Sequence, residues 1–251
     1  MKTLTKYLNE KLIINKDYKN PYTCNPTSLE ELRKIIEDRY NKLGPGTKQK
    51  PIDFNDVDVS NINSFFDDDN GILMFEGTKF EYIDISYWDV SNVENMGAMF
   101  QGCEQLKSIG DISNWNVSNV EDIGYMFFGC EQLKSVGDLS NWDVSKVKRT
   151  NFMFYSCRQL KSIGDLSDWN MSNIKSMNSM FNECEQLKSV GDLSNWTLPK
   201  VKIISRMFYG CTQLKSVGDL SNWDVYVSNI KDKFDVFDNS GITNIPDWYK
   251  E

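Results

Sequence analysis

The sequence predicts an α/β repeat solenoid, with a parallel sheet on one face, short helices on the other and about 27 residues in each coil. The register is set by six tryptophans, each 27 residues after the last: Trp88, Trp115, Trp142, Trp169, Trp196 and Trp223. Met-Phe pairs, cysteines and leucines keep the same spacing, beginning at Met99, Cys103 and Leu106. A fixed period in this range indicates stacked units that are each too small to bury an apolar face alone.

The sheet is predicted from the segment that leads to each tryptophan. In the second unit, Leu106, Ile109 and Ile112 are apolar and Gly110-Asp111 interrupts them. This pattern indicates a short strand with a tight bend. Stacked parallel strands would bring equivalent residues to about 4.8 Å from each other. The tryptophan and Met-Phe columns are then expected to be the main source of stability.

The helices are predicted from the segment that follows each tryptophan. Ser118 and Glu121 have the spacing of a capping box, in which each residue satisfies a backbone N–H at the start of a helix. Apolar residues then follow at Val120, Ile123 and Met126, which is the stripe expected of a helix facing a core. Each repeat is therefore predicted to run strand, turn, helix.

The two ends depart from the repeat, as capping units do. A second capping box at Ser28 and Glu31 predicts a helix to about Leu43, which Gly44 ends. The predicted organisation is an N-terminal helical cap over 1–50, a degenerate first coil over 51–80, regular repeats over 81–237 and a C-terminal cap strand over 238–251.

The amino-acid composition restricts the classes of function that the chain can have. The chain has a formal net charge of -8 and no histidine. An acidic chain argues against nucleic acid or an anionic membrane as the main partner. The lack of histidine removes the commonest general base, the commonest zinc ligand and the Ser-His and Cys-His nucleophile pairs. We therefore predict no enzyme, no catalytic or metal-binding residue, no cofactor and a monomer, and no run of apolar residues is long enough for a membrane span.

Two columns of reactive side chains recur with the repeat. The cysteines from Cys103 to Cys211 are expected in the core, because a free cysteine behaves as a small hydrophobic residue. An aspartate also recurs after each glycine bend: Asp111, Asp138, Asp165, Asp192 and Asp219. We expect these carboxylates to accept backbone N–H groups in the bend. The alternative is a row of cation sites, although calcium needs 6–8 oxygen ligands.

A carboxylate-based hydrolase is the remaining catalytic alternative, because acidic residues are abundant. Such a site needs two carboxyl groups in unlike environments, whereas the repeats offer the same environment five times. The least repetitive acidic segment, Asp67 to Asp69, is predicted to be a solvated loop. The enzyme hypothesis therefore ranks last.

Comparison between repeats identifies a candidate partner surface. The strand side is nearly constant, whereas the exposed positions on the predicted helix side change and shift from acidic to basic along the stack. Phe128, Tyr155 and Tyr209 add aromatic side chains there. Tyrosine and arginine dominate binding hot spots, so the predicted anchors for a protein partner are Tyr125, Arg149, Phe152, Tyr155, Arg206 and Tyr209. A periodic polymer on the strand side, and a structural spacer or virion component, are the alternatives.

The repeat resembles a known family. The pattern GDLSNWDVSNV, varied slightly in each coil and followed by Met-x-x-Met-Phe-x-x-Cys-x-x-Leu, is similar to that of BspA-like leucine-rich repeat surface proteins, including the repeat of many Mycoplasma lipoproteins. The resemblance extends from about Val57 to Trp248. It implies a leucine-rich-repeat-like solenoid used for surface display, adhesion or protein binding, and no enzyme. No signal peptide or lipobox is recognisable, which favours a cytoplasmic or virion-associated location over the cell surface.

Overall fold

The computed structural model describes residues 22–67, 71–75 and 77–250, so part of the predicted 1–50 cap lies outside the described residues. The first helix, α1, spans Leu29–Leu43. The Glu31 N–H donates to Ser28 Oγ at 3.2 Å, and Gly44 ends the helix with φ at 76°. The predicted helix is therefore confirmed at both its start and its end.

Helix α1 covers the first coil. Leu32 and Ile36 are fully buried and belong to the same core as the repeats. Arg39 Nη1 donates to Asp56 Oδ1 at 2.6 Å, and the Arg39 guanidinium lies 5.1 Å from the Phe54 ring centroid. Partial burial alone would raise the pKa of Asp56, but hydrogen bonds from Arg39 and Thr23 lower it overall. An ion pair and apolar contacts thus hold the cap to the stack.

Parallel backbone pairing joins the repeats on the side where a sheet is predicted, called ladder A here. Strand β1 (Ile52–Asp53) pairs in parallel with β4 (Ile83–Asp84), and isolated parallel bridges join Tyr82 to Ser108 and Ser135 to Ser162. In later repeats, single N–H groups donate to a carbonyl of the following repeat, as from Ile112, Leu139, Leu166 and Leu193. The pairings are parallel as predicted, but each is very short.

A small antiparallel pair interrupts the degenerate first coil. Strand β2 (Phe66–Asp67) pairs with β3 (Ile72–Leu73). The acidic loop predicted at Asp67 to Asp69 therefore begins inside a strand, and residues 68–70 lie outside the described residues.

A second parallel ladder, ladder B, occupies the side where helices were predicted. Its bridges connect Ser64, Asn95, Asp122, Arg149, Ser176, Ile203 and Asp232 in that order. Neighbours from Asn95 to Ile203 are 27 residues apart, and the last step is longer by the two residues inserted in the sixth repeat. Residues 120–131 contain no helix. The predicted helix in each repeat is therefore wrong.

Hydrogen bonding explains why the helix does not form. The Glu121 N–H donates to the Glu94 carbonyl of the preceding repeat at 2.7 Å, and the Tyr125 N–H donates to the Asn151 carbonyl of the following repeat at 2.9 Å. Tyr125 has φ at 58°, in the left-handed region that a right-handed helix excludes. The 118–121 capping box is not made either, because the Ser118 N–H instead donates to Asn116 Oδ1. The backbone N–H groups that would donate within a helix instead donate to carbonyls of neighbouring repeats.

Two aromatic columns run through the core. Phenylalanine rings stack from one repeat to the next, at 5.4 Å for Phe100 and Phe127 and 5.3 Å for Phe127 and Phe154. The tryptophan column packs similarly, with 6.5 Å between Trp115 and Trp142. The Trp142 Nε1 also donates to the Ile112 carbonyl at 3.2 Å. The side chains of both columns are thus buried, and most of the column tryptophans also donate a hydrogen bond from the indole N–H.

The cysteines form a third buried column. All six are free thiols, and the five inside the repeats are buried. Most donate to a phenylalanine carbonyl of the preceding repeat, as Cys157 does to Phe127 at 3.2 Å. Burial raises the pKa of Cys157 well above its usual value and that of Cys211 to about 12. The prediction of core cysteines is confirmed.

This burial predicts the thiol reactivity of the folded protein. Thiolates are the reactive form, so the five column cysteines should not be alkylated under native conditions. Cys24, which is half-buried, is the one of the six that should react. Mass spectrometry after brief iodoacetamide treatment should show a single label, and Cys24→Ser should show none. Rapid labelling of any column cysteine in the native protein would contradict this packing.

The C-terminal end is closed by a helical turn and not by the predicted cap strand. Short helical segments precede it: two 3₁₀ turns at Leu193–Asn195 and Leu220–Trp223, and α2 at Asp224–Val227. The last element, α3, spans Asp247–Lys250. Trp248 stacks on Trp223 at 6.2 Å and donates from Nε1 to the Leu220 carbonyl at 2.9 Å. A tryptophan out of register with the repeat therefore completes the column.

Candidate interaction surface

Ladder B presents the same three backbone positions in every repeat: the bridge residue and the residues three and six positions later. Because the backbone repeats, differences between repeats lie in the side chains. The middle position has positive φ throughout, at Ala98, Tyr125, Phe152, Ser179, Arg206 and Asp235. Three of the six predicted anchors, Tyr125, Phe152 and Arg206, therefore occupy equivalent strained turns on one surface.

Four aromatic side chains form a continuous cluster on this surface, called the aromatic platform here: Tyr125, Phe128, Phe152 and Tyr155. Tyr125 stacks on Phe152 at 4.8 Å, and Phe128 stacks on Tyr155 at 4.7 Å. Tilted and edge contacts of 5.8–6.2 Å link the two stacks. All four side chains are partly exposed. Three predicted anchors are thus brought together, and Phe128 completes the group.

The acidic and basic side chains along the stack form ion pairs between adjacent repeats. Arg149 Nε donates to Asp122 Oδ2 at 2.8 Å, and Lys148 Nζ donates to Glu121 Oε2 at 2.6 Å. The Lys148 hydrogen bond lowers the pKa of Glu121. Exposed pairs of this kind are screened by solvent and contribute little to stability. The acidic second repeat therefore pairs with the basic third, and Arg149 lies beside the platform within this network.

Arg206 and Tyr209 lie on the same surface but apart from the platform. Ser179 and Asn182 occupy the intervening repeat at the equivalent positions. The Arg206 guanidinium is 5.9 Å from the Tyr209 ring centroid and 5.1 Å from that of Phe234, and Arg206 Nε donates to Asp235 at 3.2 Å. Phe234 is 51% exposed. Phe234 is not among the predicted anchors, because the insertion in the sixth repeat shifts the register there.

The aspartate column caps the bends of ladder A. Oδ1 of each aspartate accepts the N–H of the serine two residues later, at 2.9–3.0 Å, as expected. The serine hydroxyls of Ser167 and Ser221 donate to the same carboxylates and lower the pKa of Asp165 and Asp219. Over 22–67, 71–75 and 77–250, no three His, Cys, Asp or Glu side chains converge as metal ligands. The carboxylates thus have a structural role in the turns.

Among the described helices, none combines the length and the apolar character needed to cross a bilayer.

A family profile described as "Mycoplasma protein of unknown function, DUF285" matches residues 69–190 and, in an overlapping copy, 137–248. No protein of curated function matches the chain.

Two solved structures are similar in part. A leucine-rich repeat protein from Eubacterium ventriosum has 21% identity, a TM-score of 0.42 and coverage of 67% of this chain and 39% of that one. The structure titled "TLR13-ssRNA13 complex" has 15% identity, a TM-score of 0.36 and coverage of 76% and 26%. The chain therefore spans less than half the length of either of these two proteins.

Proposed function

The chain belongs to the family described as Mycoplasma protein of unknown function, DUF285, and on this premise we propose that it is a non-catalytic repeat scaffold that binds a protein partner. The aromatic platform is the single observation that carries the proposal. Its rings lie on adjacent repeats, are partly exposed and are already stacked on each other. Rigid aromatic groups lose little conformational entropy on binding and supply large contact areas.

The platform differs from the surface on either side of it. In the preceding repeat the equivalent positions are Ala98 and Gln101, and in the following repeat they are Ser179 and Asn182. An aromatic patch surrounded by smaller and mostly polar side chains has the composition of an interface core and rim. We place Arg149 at the rim, and we assign Arg206, Tyr209 and Phe234 to a separate, secondary contact. Within this proposal the chain is a BspA-like repeat protein with an adhesion-type role.

Truncation of the platform should weaken partner binding strongly without affecting the fold. Phe128→Ala with Tyr155→Ala is the sharpest variant, because neither residue has positive φ and the turns are left unchanged. Loss of a hot spot costs about 2 kcal/mol or more, which corresponds to at least about a 30-fold weaker Kd. Affinity capture followed by calorimetry with the purified partner measures the effect.

The matched control is Lys134→Ala with Lys161→Ala, which removes two exposed side chains from ladder A. The control should retain the partner. Equal binding by the platform variant and the parent chain would overturn the assignment of this surface. If the parent chain captures no partner, a role as a structural spacer is favoured instead.

A further inference from the structure

A cleft of about 490 Å³ borders the platform where its aromatic column ends. Tyr125 stacks on Phe152 towards the following repeat, but the equivalent residue of the preceding repeat is Ala98, which offers only a methyl group. Phe66 of β2 lines the same cleft. The surface therefore drops by the height of one repeat, about 4.8 Å, where the aromatic column ends. Tyr125 and Phe66 are the aromatic residues that line the cleft at this point.

Planar polar groups complete the lining. Gln101, Asn151 and Tyr125 line the cleft and carry side-chain amide and hydroxyl groups, which form no hydrogen bond with another described side chain or backbone group. Asp122 is held in place, because its Oδ1 accepts the Gly124 N–H at 2.8 Å and its Oδ2 accepts Arg149 Nε at 2.8 Å. The cleft thus offers several hydrogen-bonding groups beside apolar ring surfaces.

Charge and shape restrict the ligand. Among the described residues of the lining, the charged side chains are Asp122 and Arg149, and they form an ion pair whose charges offset each other. Gly97 and Gly124 also line the cleft, and the backbone there is closely packed, since a Cβ at Gly124 would lie 3.1 Å from Asp122 Oδ1 and 3.3 Å from the Asn151 carbonyl. Its volume lies in the range of about 300–1,000 Å³ typical of small-molecule sites.

We infer that this cleft binds a neutral saccharide. The C–H face of a sugar ring would continue the column above Tyr125, where the preceding repeat has no aromatic residue. The ring hydroxyls donate and accept hydrogen bonds, as the amides of Gln101 and Asn151 and the hydroxyl of Tyr125 require. A purely aromatic ligand would leave these groups unpaired. The inference goes beyond protein binding and shares Tyr125 and the rim residue Arg149 with the surface proposed above.

Saturation-transfer NMR with the full chain tests the inference. The probes are neutral tetrasaccharides of glucose, galactose, mannose and N-acetylglucosamine, and the comparison ligand is an unstructured neutral octapeptide. We expect transfer from at least one saccharide and none from the peptide. Gln101→Ala with Asn151→Ala should reduce the transfer at least about 10-fold, because buried polar groups of the ligand lose their partners.

The control distinguishes this site from the protein-binding surface. Phe128→Ala with Tyr155→Ala should keep the saccharide signal even though it removes the proposed partner contact. The inference is overturned if no saccharide in the panel gives transfer, if the Gln101 and Asn151 variant binds as the parent does, or if the peptide alone gives transfer.

Discussion

Replacing Trp142 by alanine is expected to destabilise the fold by about 3–5 kcal/mol, the usual cost of truncating a large core aromatic residue. Trp142 is 3% exposed and stacks on Trp115 at 6.5 Å. The substitution also removes the donor to the Ile112 carbonyl. The damage falls in the middle of the stack, where repeats on both sides depend on the column.

Urea unfolding followed by circular dichroism measures this loss. Trp142→Phe is the matched control, because it keeps an aromatic ring and removes the indole N–H. Leaving the Ile112 carbonyl without its donor costs about 1–3 kcal/mol, so the control should lie between the parent and the alanine variant. A change of less than about 1 kcal/mol for Trp142→Ala would show that the column is not a main source of stability.

Gly164→Ala is expected to be strongly destabilising, as are the equivalent substitutions at Gly191 and Gly218. Gly164 has φ at 92°, where a side chain costs about 1–2 kcal/mol. The added Cβ would also collide with Oδ1 of Asp138 and lie 3.0 Å from the Leu139 backbone nitrogen. Asp138 would have to leave the turn in which it accepts the Ser140 N–H. The loss of folding stability should therefore exceed the cost of the positive φ alone.

Gly102→Ala separates the two contributions. Gly102 has φ at 73°, and a Cβ there would meet no atom within 4 Å. The equivalent positions in later repeats hold Ser156 and Glu183, with φ at 56° and 58°. This variant should be destabilised only by the cost of placing a side chain at positive φ, about 1–2 kcal/mol. Equal destabilisation of the two variants in thermal melts would mean that the aspartate contact contributes nothing.

The sequence predicts the columns well because identical residues at a fixed spacing must align when repeats stack. The Trp142, Phe127 and Cys157 columns and the pairing on ladder A follow from this argument alone. The N-terminal helix is also predictable, since the capping box at Ser28 and the glycine at 44 are local signals.

Sequence patterns within one repeat predict the wrong secondary structure where the backbone hydrogen-bond partner lies in another repeat. Val120, Ile123 and Met126 are spaced by three, which fits successive three-residue turns as well as one helical stripe. In an α-helix of 3.6 residues per turn, each step of three drifts by about 60° around the axis. The positive φ of Tyr125 could not be read from the sequence either, because left-handed turns are usually marked by glycine.

The candidate site was partly predictable for a related reason. Tyr125, Phe152 and Tyr155 stood out because they are aromatic residues at exposed positions whose identity changes from repeat to repeat. Their mutual stacking depends on the ladder, which the helix prediction missed. Arg149 and Arg206 were selected as anchors for their residue type, whereas the structure engages both in ion pairs with a neighbouring repeat.

The nuclear Overhauser contacts of residues 120–131 test the central structural claim most directly. Ladder B predicts contacts between the Glu121 amide and the Glu94 backbone, and between the Tyr125 amide and the Asn151 backbone, each between adjacent repeats. An unbroken series of contacts between residues three and four apart through 120–131, without contacts between repeats, would contradict the ladder. Such a result would mean that residues 120–131 form a helix and that the rings of the aromatic platform do not stack as described.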